Sequence, residues 1–143
     1  MLNEATWIKT AIATLGGFAA YLWGAWDALI IALVVCAALD YITGVLKALC
    51  KKELSSEIGF KGLAKKVFMF AIVALANIID CVIPATNGAI RSAVMLFYIA
   101  NEALSIMENA GEIGIPIPKI LQSAITSLKK TSGEDDSDDD AQG

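Results

Sequence analysis

Three carboxylate side chains interrupt segments that are otherwise apolar, and they are the residues of this chain best placed to do chemistry. Asp40, Asp80 and Glu102 each lie in or beside a hydrophobic run of about the length of a helix. An ionised acid near the middle of a bilayer costs about 2.5 to 3.5 kcal/mol, so each must face protein or water, or be protonated. Three such acids in one short chain predict a polar surface inside the apolar region.

Further polar residues share predicted helix faces with these acids. Thr43 and Lys47 follow Asp40 at i+3 and i+7, and Asn77 precedes Asp80 by three positions, spacings that place side chains on one face. The candidate intramembrane or pore-lining set is Asp40, Thr43, Lys47, Asn77, Asp80, Tyr98, Asn101 and Glu102.

Two interpretations of this set are open. In the first, the polar residues satisfy one another, with Lys47 or Arg91 as partners, and hold a compact bundle together. In the second, the polar faces line water once subunits assemble. We favour the second, because three ionised acids would together cost about 8 to 10 kcal/mol near the bilayer centre.

Several classes of site are excluded by residue type. The chain has no histidine, so imidazole acid-base chemistry and His-ligated metals or haem are absent. Cys36, Cys50 and Cys81 are too far apart in sequence to suggest a metal knuckle or a disulfide framework. We therefore expect no enzyme activity, no cofactor, no metal and no nucleic-acid partner.

The composition is that of an integral membrane protein. Hydrophobic residues make up 57% of the 143 residues, and the mean hydropathy is +0.63, well above the level of soluble domains. The net charge of −4 includes six acidic residues between positions 134 and 140. That terminal segment is of low complexity, and we expect it to be disordered.

The hydrophobic pattern predicts an all-α fold with four transmembrane helices, a C-terminal amphipathic helix and the acidic tail. The expected spans are about 7–26, 28–49, 67–86 and 88–107, followed by an interfacial helix at 113–130 and the tail at 131–143. Only Trp26 and Asp27 separate the first two spans. This tight turn leaves an alternative with three spans, in which residues 4–22 lie in the interface.

A basic segment at 47–66 predicts the orientation. Six lysines against two glutamates give it a charge of about +4, and short basic loops stay on the cytoplasmic side. Both ends of a four-span chain would then be cytoplasmic. The residues that we assign to topology in this segment are Lys51, Lys52, Lys61, Lys65 and Lys66.

A row of small residues in the first apolar segment predicts close helix packing. Gly16, Ala20 and Gly24 recur at four-residue spacing, and small side chains let two helix backbones approach in a membrane. The row serves either self-association of subunits or packing against the neighbouring helix.

Several separated motifs resemble the toxin secretion/phage lysis holin family. They are LDYITG at 39–44, GFKGLAKK at 59–66, FYIANEALSIMEN at 97–109 and GIPIP at 114–118. Together they extend the resemblance over about residues 25–128. The acidic tail departs from the family, in which tails are commonly basic.

The resemblance implies a small phage-encoded protein that accumulates in the host cytoplasmic membrane, forms homo-oligomers and opens lesions. Endolysin would be the released partner, or a toxin in some bacterial relatives, and an antiholin would control timing. The next methionine after Met1 is Met69, so the close pair of start codons that some holins use for an inhibitor is absent. The alternative functions are a small transporter or channel and a membrane scaffold.

Overall fold

A computed structural model describes residues 3–133 as α-helices joined by short connections, and it confirms the predicted all-α fold. None of the described residues lies in a strand. The helices are α1 (Glu4–Trp23), α2 (Ala28–Cys50), α3 (Ser56–Val82), α4 (Ala89–Glu112) and α5 (Lys119–Thr131), with a 3-10 turn at Pro84–Thr86. The acidic tail predicted from residue 131 lies almost entirely outside the described residues.

Three of these helices, α2, α3 and α4, are long and apolar enough to cross a membrane. The fourth span expected at 7–26 is not confirmed, because α1 is not among them. Along α1, every described residue before Ala19 is exposed, including Ile12, Leu15 and Phe18. Its bulky apolar side chains therefore contact no other part of the described chain closely enough to be buried.

Helix α4 is the centre of the bundle. It packs extensively against α2, less against α3, and on a further side against α5, whereas α2 and α3 hardly touch each other. The shared core contains Leu33 from α2, Val73 from α3 and Met95 from α4, all fully buried. A space between α2 and α3 follows from this arrangement.

The connection between α2 and α3 is much shorter than the predicted basic loop. Helix α2 continues to Cys50, and α3 begins at Ser56 because the Ser55 side chain caps it, accepting a hydrogen bond from the Ile58 amide at 3.2 Å. An N-cap serine of this kind satisfies one of the free amides of a first helical turn. Lys61, Lys65 and Lys66 are therefore helical residues.

Helix α5 begins later than expected, at Lys119. Pro116 and Pro118 precede it, and proline cannot continue a helix but suits its start. Ile125 is buried against α4, whereas Ile120 and Leu121 on the same short helix are exposed. The amphipathic helix thus docks on its own bundle through part of its apolar face and leaves the rest open.

Candidate functional site

The bundle has two charged clusters, one at one end and one about ten residues inside the other. We call the end with residues 51–55 the loop end, and the end with residues 24–27 and 83–88 the turn end. At the loop end, the Lys66 ammonium group lies 2.5 Å from Oδ2 of Asp40 and also pairs with Glu102. All three side chains are 13 to 16% exposed. One lysine thereby joins α2, α3 and α4.

Asn109 extends this Lys66 cluster toward the loop. Its side-chain amide donates hydrogen bonds to Oδ1 of Asp40 at 3.3 Å and to Oγ1 of Thr43 at 3.1 Å. Gly44 lies beside this amide, and a Cβ at that position would make an ordinary van der Waals contact with the Asn109 amide nitrogen at 3.7 Å. The polar face predicted on α2 is therefore paired with α4 within one chain.

A cavity of about 570 Å³, which we call the vestibule, opens beside this cluster between α2, α3 and α4. Five of the predicted intramembrane residues line it, namely Asp40, Lys47, Tyr98, Asn101 and Glu102. Its charged lining consists of three acids and three lysines, namely Asp40, Glu53, Glu102, Lys47, Lys65 and Lys66. Apolar side chains form most of the remaining lining, and the charged groups give the vestibule a place for water or a small polar group next to the Lys66 cluster.

Glu112 ties α4 to the last turn of α2 at the loop end. Lys47 Nζ lies 3.3 Å from its Oε1, and Lys51 forms a second ion pair with it. The hydrogen bond from Lys51 to Glu112 raises the pKa of that lysine above its usual value. Lys47, predicted as a partner for an intramembrane acid, is instead paired with a residue at the helix end.

At the turn end, Arg91 is buried and fully hydrogen-bonded. Its Nε donates to the Trp23 carbonyl at 2.6 Å, and its Nη2 donates to the Ala25 carbonyl at 2.8 Å. Its Nη1 donates to Oδ2 of Asp27 at 2.7 Å, and this bond lowers the pKa of the Asp27 carboxyl group. One side chain thereby fixes the α1–α2 turn to α4.

Asn77 and Asp80 also lie at the turn end, where both satisfy helix termini. The Asn77 amide donates to the carbonyls of Tyr21 and Leu22 at 3.2 and 3.1 Å, at the end of α1. Asp80 accepts the backbone amide of Arg91 at 2.7 Å and the Thr86 hydroxyl at 2.5 Å. The structure therefore does not bring these two predicted residues together with the Lys66 cluster.

The predicted small-residue row is divided between two environments. Gly24 lies just beyond α1 with φ +78°, and a Cβ there would come within 2.8 Å of Arg91 Nε and Asn77 Oδ1. In contrast, a Cβ at Gly16 would meet no atom within 4 Å, and Ala20 is half-buried. Gly24 is thus required by packing within the chain, whereas the face at Gly16 has no partner among the described residues.

The two clusters lie closer together than the faces of a bilayer. Arg91 and Glu102 are both on α4, and at 1.5 Å per residue they are about 17 Å apart along the axis, against a hydrocarbon thickness of about 30 Å. Beyond the Lys66 cluster, the outer face of α2 stays apolar, with Leu46 and Leu49 exposed. The outer face of α3 there combines exposed Ile58 with exposed Lys61 and Lys65. Asp40 and Glu102 lie about ten residues inside the ends of α2 and α4, so the cluster lies beside an apolar α2 surface that would face lipid.

The sequence does not identify Lys66 as the partner of Asp40 and Glu102. It predicts a topological role for Lys66 and Lys47 or Arg91 as partners for the acids. Ser55 is a candidate N-cap residue in the sequence. If α3 is taken to begin directly after Ser55, Lys66 becomes a helical residue that can face the acids of neighbouring helices. Within residues 3–133, no group of three acidic or cysteine side chains is arranged to hold a metal ion.

Known proteins resemble the chain over most of its length. Residues 17–130 match the model of a bacteriophage holin family. An uncharacterised 14.9 kDa protein of Clostridium perfringens is 38% identical over 128 residues, which cover 90% of this chain and 97% of the relative. A protein of Bacillus phage phi105 described as a probable holin is 39% identical over 108 residues, covering 76% and 79%. No solved structure matches the chain.

Proposed function

Since the chain belongs to the bacteriophage holin family, we propose that it accumulates in the host cytoplasmic membrane, assembles into homo-oligomers and opens lesions. The lesions release endolysin, which the chain itself does not contain. Release of a toxin by the same route would need only a different cargo. An antiholin would act by changing when assembly occurs.

The observation that carries this proposal is the Lys66 cluster beside a polar vestibule at membrane depth. Asp40 and Glu102 share one lysine, so the cluster has one carboxylate more than it has cations. Replacing a buried ion pair with apolar residues of similar size is often neutral or stabilising for the fold. Stability alone therefore does not explain why these positions carry charges. When copies assemble, the vestibules turn toward a common aqueous space. Water in that space hydrates Asp40 and Glu102, the two carboxylates that pair with Lys66 in the single chain.

Helix α1 supplies a surface for assembly. Gly16 and Ala20 are small residues on one face of α1, and nothing else in the described chain lies within 4 Å of a Cβ at Gly16. Small residues allow close helix contact in lipid, where the hydrophobic effect does not drive association. Gly24 belongs instead to the packing around Arg91, so the proposed contact between copies is centred on Gly16 and Ala20.

The proposed orientation places the loop end, α5 and the C-terminus in the cytoplasm. Lys51, Lys52, Lys61 and Lys65 lie at or near the loop end, and positively charged residues are retained on that side. With α2, α3 and α4 as spans, α1 then lies at the outer surface. Cysteines introduced at positions 3 and 142 test this, because only a three-span chain leaves position 3 accessible from outside and position 142 from inside.

The experiment that tests lesion formation is induced expression in bacteria that also produce a cytoplasmic endolysin without a secretion signal. We expect a delay, then a sudden loss of membrane potential followed by lysis. The double variant Asp40→Asn with Glu102→Gln should shift the time of lysis without reducing membrane accumulation. Glu57→Gln is the matched control, because Glu57 is an exposed acid at the start of α3. Unchanged timing in the double variant would refute the role of the cluster.

The vestibule also favours a second function, a small channel for ions. The vestibule reaches a charged cluster inside a single chain, and an ion path that continued past this cluster would conduct ions without releasing protein. Loss of potential without lysis, despite active endolysin in the cytoplasm, would favour the channel. Membrane accumulation with no change in potential would favour a scaffold.

A further inference from the structure

A second cavity lies between the end of α1, α2 and α3, and it is almost entirely apolar. This groove has a volume of about 840 Å³. Trp23, Trp26, Ile30 and Val34 line it near the turn end, and the α3 side chains from Leu63 to Ile78 form its opposite wall. Trp23 is held in place there, because its indole Nε1 donates to the Phe70 carbonyl at 2.9 Å. The groove is therefore a preformed feature rather than a loose surface.

The groove meets the vestibule at Lys66. That residue lines both cavities, and its ammonium group is directed to Asp40 and Glu102 on the vestibule side. Its methylene stem is the apolar part that the groove can contact, as long cationic side chains commonly present it. An apolar space and a polar space are thus continuous along the gap between α2 and α3.

We propose that the groove and the vestibule together bind one phospholipid with a zwitterionic headgroup, from the leaflet at the loop end. An acyl chain occupies the groove and points toward the turn end. The headgroup lies in the vestibule, beside Lys66. This is the orientation that a lipid of that leaflet already has, so binding requires no inversion of the lipid.

The charges of the vestibule fit a zwitterion better than an anion. Its lining carries three acids and three lysines, and Lys47 is already paired with Glu112. Lys65 makes no ion pair among the described residues, and it is available to a phosphate group. The acids around Lys66 exceed its single charge and attract an ammonium group. An anionic headgroup would satisfy Lys65 alone.

The course of the groove favours an acyl chain over a helix from a second copy. The groove follows α3 for about 22 Å, from Leu63 to Ile78, and it leads to the charged lining of the vestibule at Lys66. A phospholipid has the same succession of an apolar chain and a charged headgroup. An apolar helix face has no charged group to place beside Lys66.

Native mass spectrometry of the delipidated protein, titrated with phosphatidylethanolamine or phosphatidylglycerol, tests the proposal. We expect one phospholipid per chain, with phosphatidylethanolamine bound more tightly by about threefold. Ala71→Phe places a ring in the groove, since Ala71 is an exposed residue of its wall. This variant should weaken binding by about fourfold or more, the contribution of one buried methylene group.

Ala38→Phe is the matched control, because Ala38 is an exposed α2 residue outside the groove, and it should bind like the parent. Equal helix content by circular dichroism establishes that both variants fold. Equal loss of lipid in both, lipid adding without saturation, or preferential binding of phosphatidylglycerol would overturn the proposal. So would loss of a dimer, rather than of lipid, in Ala71→Phe, because the groove would then hold a second copy.

The headgroup assignment has its own variant. Glu53 lines the vestibule and is exposed, so Glu53→Gln removes one negative charge with little effect on folding. The preference for phosphatidylethanolamine should then fall from about threefold to about equal binding of the two lipids, a loss within the range of an exposed ion pair. An unchanged preference would show that the headgroup does not lie in the vestibule.

Discussion

The two ends of the bundle use buried charge in different ways. At the turn end, Arg91 is surrounded by backbone carbonyls and Asp27, and its donors are satisfied. At the loop end, Lys66 is shared by two acids beside a cavity of about 570 Å³. The Arg91 side chain is buried, and its charge is paired with that of Asp27. The Lys66 cluster has one carboxylate more than it has cations, and the adjacent cavity has space for water.

We infer from this difference that the turn end has a structural role, and we propose a functional role for the loop end. Backbone acceptors cannot be removed by substitution, so no second substitution can compensate for the loss of Arg91. Acceptors that belong to side chains can be neutralised together with Lys66. The comparison therefore predicts that compensating substitutions rescue the loop end and fail at the turn end.

The largest effect is expected from Arg91→Met. The change leaves the carbonyls of Trp23 and Ala25 without their donor and Asp27 unpaired, and breaking a buried pair costs about 3 kcal/mol or more. We expect a large fall in thermal stability in mild detergent and little accumulation in the membrane. The double variant Arg91→Met with Asp27→Asn should not recover, and recovery would show that the carbonyl bonds are dispensable. Lys9→Met, at an exposed α1 position outside the residues assigned to topology, is the control.

A smaller effect is expected from Lys66→Met, which leaves Asp40 and Glu102 facing each other. Water in the vestibule limits the loss to about 1 to 3 kcal/mol. Adding Asp40→Asn and Glu102→Gln removes the repulsion, so the triple variant should regain stability and membrane accumulation while its lysis timing stays altered. If the triple variant is as unstable as Lys66→Met alone, compensating substitutions fail at both ends, and the proposed difference between the ends is refuted.

Part of this contrast could be predicted from the sequence. The i, i+3 and i+7 spacing found the polar face of α2, and the same reasoning found Tyr98, Asn101 and Glu102 on α4, because helical periodicity is local. Pairing between helices is not local. Asn77 and Asp80 have the spacing of an intramembrane face, but they lie where α1 ends and α4 begins, and only the tertiary arrangement makes them caps.

The small-residue row illustrates the same limit. Its four-residue spacing is uniform in sequence, yet α1 ends at Trp23, so Gly24 leaves the helical face that Gly16 and Ala20 share. The end of the helix depends on Arg91 and Asn77, which are far away in sequence and bind the last carbonyls of α1. Gly24 is a local stop signal, since a glycine with positive φ commonly ends a helix, but no local signal shows that Arg91 and Asn77 bind there.

A moderate effect at the turn end is expected from Gly24→Ala. The positive φ and the close approach of Arg91 and Asn77 make a side chain costly, by about 1 to 3 kcal/mol. Gly16→Ala should leave thermal stability in detergent unchanged or slightly raised, because the site is an open helical position. Equal destabilisation by both substitutions would mean that Gly16 is packed within the chain.

The smallest effect concerns pH at the turn end. Hydrogen bonding from Arg91 lowers the pKa of Asp27 below its ordinary value of 3.8. The carboxylate thus stabilises the folded state fully above that value, and its contribution is lost as the pH falls through the lower, folded pKa. Thermal stability should decline slightly more between pH 4 and pH 2 in the parent than in Asp27→Asn. Parallel curves for the two proteins would contradict the ion pair.

The separation of about 17 Å between Arg91 and Glu102 has an electrical consequence. If water fills the vestibule, the insulating layer at each subunit is only the apolar plug of Leu33, Val73 and Met95, little more than half the thickness of the surrounding hydrocarbon. The same voltage across a thinner insulator produces a stronger field. Each copy is then a point of reduced dielectric strength in the membrane, and the plug is the layer at which breakdown would begin.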